Sequence, residues 1–232
     1  MRALLLAAGL GARLRPLTDH VPKCLIPIRG RTLLEYWLDL LLGHGIERVL
    51  INTHYLPEAV RDFVASSKWG DRVTLAHEDM LLGTGGTILR NHQFFGGEAF
   101  LVAHADNLTR FDVKAFIGRH RSRPKGVEIT MMTFATDSPQ SCGIVEEDEH
   151  GLVVAFHEKF ANPPGNLANA AVYIFEPSII DFLASKGREV IDLSTEVIPH
   201  FMGRILTFHN SGYHRDIGTP ESLRLAQAEW PC

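Results

Sequence analysis

Long apolar runs are missing from this sequence. No stretch approaches the roughly 20 consecutive apolar residues of a membrane-spanning helix. The opening MRALLLAAG places Arg2 ahead of a short apolar run, but that run breaks at Ala8 into glycines and arginines, too soon for the core of a secretory signal. Cysteine is scarce too. Cys24, Cys142 and Cys232 are scattered, odd in number and without a CxxC spacing, so neither a disulfide framework nor a thiolate zinc site is expected, and the cytoplasm is the expected location. Basic excess is also lacking: 23 Lys and Arg stand against 27 Asp and Glu, a formal net charge of −4, which argues against a nucleic-acid binder. Any polyanion that binds must therefore sit in a local pocket. The twelve histidines form no HxH or HExxH pair, which makes zinc improbable, and neither a GxSxG nucleophile turn nor a GxxxxGK phosphate loop occurs.

What is present is a globular composition, 45% hydrophobic and 22% charged, in 232 residues without repeats. That length can bury a full core and is ordinary for one α/β domain. Leu33, Leu34, Trp37, Leu38, Leu41 and Leu42 recur with a helical period that Gly43 to Gly45 ends, and Arg48–Thr53 follows as a buried strand. Pro57 opens a second helix; Val73–His77 and Ala99–Ala103 read as strands, with a helix from Asp112 to His120. This alternation implies parallel strands joined by crossover helices. The second half reads as strands at Val127–Phe134, Gly143–Val145, Val153–His157 and Ala170–Phe175, with turns at 148–151 and 162–165 favouring hairpins. Late helices are expected at Pro177–Ala184, Ser194–Met202 and Pro220–Glu229.

The chain is organised around LLLAAGLGARLRPLT, Leu4 to Thr18, and VPKCLIPI, Val21 to Ile28. A buried strand meets a turn built from Leu6, Ala7, Ala8, Gly9 and Gly11, and the fixed cations Arg13 and Lys23 follow. So small a backbone lets amide N–H groups approach an anion, and the two cations supply the charge that a polyphosphate demands. As a dinucleotide fingerprint the glycines fail, because Leu14 stands where the third glycine belongs. Asp106, just past a strand, and the distant Asp216 are hard oxygen donors of the kind that hold Mg²⁺ beside a triphosphate. The loop Leu81–Ile88 offers Gly83, Thr84 and Gly85 either to a flat base or as a helix start with Thr84 as its cap. Glu78 or Asp79 could accept hydrogen bonds from the N1 and N2 donors of guanine.

The first motif resembles GxGxR(L/M)xPxT followed by PKxLxP, the N-terminal signature of the sugar-1-phosphate nucleotidyltransferases, with a departure at Cys24. The resemblance implies a Rossmann-like three-layer α/β nucleotidyltransferase fold with a mixed, mostly parallel central sheet. It implies a single domain over 1–232, its nucleotide-binding part about 1–125 and its sugar-binding part about 126–232. Ala105-Asp106-Asn107 is similar to the family's GDN and His214-Arg215-Asp216-Ile217-Gly218-Thr219-Pro220 to WxDIGTP, which implies Mg²⁺ on Asp106 and Asp216. LGTGGT resembles the base-binding LGTAG. Glu158-Lys159-Phe160 resembles EKP, whose Glu contacts sugar hydroxyls and whose Lys holds the sugar phosphate. Asn169 matches the Asn of NxGxY and Gly143 the Gly of YGxV, so these two and Asn107 are implied to face the sugar phosphate. The implied reaction is attack of a sugar 1-phosphate oxygen on the α-phosphorus of GTP with loss of pyrophosphate. Arg13, Lys23, Asp106, Lys159 and Asp216 are its expected catalytic groups. Longer segments are most similar to guanylyltransferases acting on D-glycero-α-D-manno-heptose 1-phosphate, with mannose 1-phosphate second and uridylyl transfer third; a non-catalytic nucleotide-sugar sensor is the alternative from another class. A homodimer is compatible with the sequence and not dictated by it.

Overall fold

The computed structural model describes residues 1–231, so Cys232 lies outside the described residues. The chain opens with β1 (Ala3–Leu6), crosses the glycine turn, and makes a short hairpin of β2 (Pro27–Ile28) and β3 (Arg31–Thr32) before α1 (Leu33–Leu42), β4 (Val49–Thr53), α2 (Pro57–Ser66) and β5 (Val73–His77). Next come α3 (Gly83–Arg90), α4 (His92–Phe95), β6 (Phe100–His104), β7 (Asn107–Thr109) and α5 (Val113–Arg121). The second half supplies β8 (Ile129–Ala135), β9 (Gly143–Glu147), β10 (Val153–Glu158), β11 (Leu167–Phe175), α6 (Ser178–Ser185), β12 (Ile205–His209), β13 (His214–Asp216) and α7 (Pro220–Glu229). Packing divides these elements into two compact units, neither continuous in sequence. Unit 1 takes Met1–Leu81, Ala103–Phe111 and Gly212 onward; unit 2 takes Leu82–Val102 and Asp112–Ser211.

In unit 1, β4 lies between β1 and β5 and pairs with both in parallel, Leu5 opposite Ile51 and Ile51 opposite Leu75. A strand paired on both sides within a parallel sheet favours apolar residues, and every residue of Val49–Thr53 is buried, Val49–Ile51 as an apolar run and Asn52 and Thr53 as polar residues that need partners. The stripe expected on α1 is buried in full, and Thr32 caps the helix by accepting the Glu35 N–H. Two short strands, invisible as hydrophobic patterns, complete the unit: β7 and β13 run antiparallel with Asn107 opposite Asp216. Behind them Ile217 is buried with Ile28, Leu33, Leu108, Ala226 and Trp230, and α7 begins at a capping box between Thr219 and Ser222.

In unit 2, β8 is flanked by β11, antiparallel, and β12, parallel. The hairpin β9–β10 forms at the expected turn, where Asp148 Oδ1 accepts the N–H groups of His150 and Leu152, each at 2.9 Å. The 162–165 turn does not join paired strands, because β9 lies between β10 and β11. The helix expected at Ser194–Met202 is instead a π turn, Leu193–Val197, followed by a 3₁₀ turn, Ile198–Phe201. Pro199 lacks an N–H and its ring clashes with the preceding turn, so a regular helix cannot pass it. Parallel strands with crossover helices in unit 1 and mixed pairing in unit 2 give the mixed α/β class that the alternation implies.

His120, on α5, is buried; its Nδ1 lies 2.8 Å from Thr130 Oγ1 and its Nε2 2.9 Å from Glu176 Oε1, an oxygen that Arg123 also holds at 2.6 Å. Burial lowers the imidazole pKa below 6.5, and the hydrogen bond to Glu176 only partly offsets it. An unfolded histidine therefore takes up a proton at a pH where the folded one does not, so the stabilisation it confers is present above about pH 6.5 and falls away as pH drops. The stability advantage of the native protein over His120→Gln in urea should accordingly shrink between pH 7.5 and pH 5.5. Equal differences at the two pH values would contradict this.

Candidate active site

The β7–β13 ladder sets the centre of unit 1. It places Asp216 beside the turn that carries Asp106, and the Ile217 N–H donates to the Asp106 carbonyl at 3.2 Å. Between the two carboxylates lies the buried ammonium of Lys23, whose Nζ donates to Asp106 Oδ2 at 2.6 Å and to Asp216 Oδ1 at 3.2 Å. Arg13, well exposed, approaches the other oxygen of Asp216 at 3.8 Å. Four residues scattered along the chain thus form one charged cluster. Leu6, Ala7, Gly9, Lys23, Cys24 and Asp106 line a shallow cleft beside it.

The electrostatics of the cluster have separable causes. Burial pushes the Asp106 carboxyl up, but the Lys23 charge, His104 and the Lys23 hydrogen bond outweigh it, and its pKa falls below the usual carboxylate value. His214, in the position where the family pattern has Trp, is pushed down to about 3 by burial, so it stands neutral between Tyr213 and Arg215. Burial raises the Cys24 thiol to about 12, which leaves an inert apolar wall and no nucleophile.

The glycine turn is held from beneath. Gly11 adopts φ 63°, its carbonyl accepts the buried Thr18 hydroxyl at 2.9 Å, and a Cβ there would lie 2.9 Å from Thr18 Cγ2. Gly9 differs: no protein atom lies within 4 Å of where its Cβ would be, so the space over the turn at Gly9 is open. Gly218 has a different task, since a Cβ there would fall 2.5 Å from Asp216 Oδ2 and 2.7 Å from an Arg13 nitrogen. The glycine of DIGTP is what lets Arg13 come to Asp216, a role that the sequence reading missed.

At the end of β4, Asn52 is buried and spans two segments. Its Oδ1 accepts the Ala7 N–H at 2.7 Å and its Nδ2 donates to Glu78 Oε1 at 2.9 Å. Glu78, one of the two residues considered for guanine, is buried; Asp79 is fully exposed beside His77. Asn107 is buried as well, opposite Asp216 in the ladder, and its carbonyl accepts the Trp37 indole N–H at 2.8 Å.

In unit 2 the start of α3 rests on segment 189–192. The Gly85 N–H donates to the Ile191 carbonyl at 2.8 Å, and a Cβ on Gly86 would lie 2.0 Å from the Glu189 carbonyl oxygen. Close packing thus accounts for the glycines here. Thr84 does not cap α3; its hydroxyl accepts the Leu193 N–H at 2.7 Å. Gly143 lets Phe156 and Glu158 lie across β9, a Cβ there falling 2.8 Å from Glu158 Oε2. Lys159 follows with a left-handed backbone at φ 48° and an exposed side chain 3.5 Å from Glu158. Asn169 occupies the bulge in β11, where its Oδ1 accepts the Ala171 N–H at 2.9 Å and its Nδ2 donates to the buried Tyr173 hydroxyl at 2.6 Å.

Comparison with known proteins agrees with this architecture. The mannose-1-phosphate guanylyltransferase of Mycobacterium tuberculosis is 33% identical over 232 residues, covering 98% of this chain and 64% of its own length. The UTP–glucose-1-phosphate uridylyltransferase of Synechocystis is 30% identical over 223 residues, 90% of this chain and 57% of its own. The chain therefore spans about three fifths of the length of these curated relatives. Among solved structures, HddC from Yersinia pseudotuberculosis complexed with GMP-PN superposes with a TM-score of 0.82 at 25% identity, over 99% of both chains. This is the Rossmann-like nucleotidyltransferase fold. Residues 2–230 match the Nucleotidyl transferase family across almost the whole sequence, and the chain belongs to that family.

Proposed function

We propose that this protein transfers a guanylyl group from GTP to a sugar 1-phosphate, D-glycero-α-D-manno-heptose 1-phosphate first among them, releasing pyrophosphate in the cytoplasm. The observation that carries the reading is the convergence of Lys23, Arg13, Asp106 and Asp216 beside a cleft whose floor is the glycine turn. The guanylyltransferase among the relatives supports the choice of GTP. The structure of HddC in complex with GMP-PN also supports a guanine nucleotide. The guanylyltransferase relatives are named for mannose 1-phosphate, and the choice of heptose rests on the long segments similar to heptose 1-phosphate guanylyltransferases.

Two carboxylates whose oxygens lie 2.6 and 3.2 Å from one ammonium form a point that already holds a cation, and their hard oxygens suit Mg²⁺. Asp106 and Asp216 would hold it, and the bound ion would supply neutralisation of phosphate charge. The chain's own residues do the rest. Lys23 and Arg13 bind the triphosphate as fixed charges, and the open space at Gly9 admits phosphate oxygens to the turn. In unit 2, Lys159 takes the sugar phosphate, Glu158 and Asn169 take sugar hydroxyls, and Gly143 keeps the strand low beneath them. No general base is needed, because the attacking phosphate oxygen is already anionic; positioning and charge compensation carry the rate.

Pyrophosphate release with GTP, UTP and dTTP against heptose, mannose and glucose 1-phosphates tests this directly. GTP with heptose 1-phosphate should give the highest kcat/KM, and Lys23→Gln should reduce it by about 10²–10³-fold, the size of one preorganised charge contact. No release from any pairing would refute the proposal. Base choice has its own test: Glu78→Gln should weaken GTP more than UTP, and equal losses would remove Glu78 from base recognition.

A further inference from the structure

Asn52 is an expensive residue where it stands. It lies on β4, a strand buried at every position and paired on both sides, where a polar carboxamide must find hydrogen bonds or cost the protein stability. Its partners include the first amide of the glycine turn and the carboxyl group of Glu78. A carboxylate only accepts hydrogen bonds, so it fixes which end of the amide faces it: the NH₂ must point at Glu78 and the oxygen at Ala7. The Glu78 segment is itself tied to the end of β4, its N–H donating to the Thr53 carbonyl at 2.9 Å and its carbonyl lying 2.7 Å from His54 Nδ1. On the other side, Ala7 leads directly into Gly9 in the lining of the cleft.

We propose that Asn52 is a positioning residue that ties the polyphosphate turn to the segment carrying Glu78, so that Glu78 sets the geometry of the phosphate site through Asn52 without touching a phosphate. The Ala7 N–H is spent on Asn52, which ties the start of the turn to β4. The inference rests on the nucleotide reading of the cleft, and its consequence is specific: altering Glu78 must weaken a ligand that has no base at all.

Inorganic tripolyphosphate with Mg²⁺, titrated calorimetrically into the whole protein, is such a ligand. Glu78→Leu removes the acceptor that orients the amide and should weaken tripolyphosphate about tenfold, the equivalent of one buried hydrogen bond to the turn. Asn52→Asp should weaken it similarly, because the introduced carboxylate faces that of Glu78. The double variant N52D/E78Q reverses the polarity of the pair while keeping both hydrogen bonds, and should return affinity to within about threefold of the native protein, less than the tenfold effect of a single lost bond. Near-ultraviolet circular dichroism establishes that each variant is folded; should a single variant not fold, the double variant decides. Native affinity in a folded Glu78→Leu protein, or no recovery in the double variant, overturns the inference. A native protein that binds no tripolyphosphate overturns both this and the nucleotide reading, whereas binding without pyrophosphate release overturns only the transfer reaction.

Discussion

The arrangement of unit 1 depends on a single ammonium group placed between two carboxylates. Asp106 and Asp216 could not lie so close in a half-buried setting without a cation between them, since like charges at that range drive one carboxyl to protonate. Lys23 supplies it, and the depressed pKa of Asp106 registers the balance. The cluster is held from behind as well as within. Ile217, next to Asp216, is buried among apolar side chains, which contributes on the order of 1.5–3 kcal/mol and pins the β13 strand. Trp230 closes that group, with Tyr36 and Tyr213 meeting its ring edge-on at 5.1 and 5.2 Å.

Glycine recurs around both units for unlike reasons, and the differences separate architecture from function. At Gly86 and Gly143 neighbouring protein atoms fill the place of the missing side chain. At Gly218 the missing atoms make room for an ion pair. At Gly9 nothing beyond its chain neighbours occupies the space, which leaves the turn open above the cleft. A glycine-rich motif read as letters conceals this distinction.

Much of the fold was legible because it obeys simple periods. The buried stripe of α1 and the apolar run Val49–Ile51 of β4 announce themselves, as does the Asp148 turn. β7 and β13 did not, since three-residue strands carry no period, and yet they are what unites Asp106 with Asp216. β12 escaped notice, and Pro199 undid a helix whose apolar spacing looked regular. Of the charged cluster, Arg13, Lys23, Asp106 and Asp216 could be named from motif residues. Asn52 could not: the polar pair Asn52-Thr53 after an apolar run looks like the strand's boundary, and the partners of Asn52 include groups from distant segments.

The discontinuity of unit 1 bears on how the molecule is made. A ribosome releases β1, β4 and β5 early, and these can pair at once. Asp216 and the strand that carries it are delivered only after nearly all of unit 2 has emerged. Throughout that interval Lys23 has at most one of its two carboxylate partners, so the charged cluster closes only once β13 has been made, and a nascent chain stalled before it would own a sheet without that cluster.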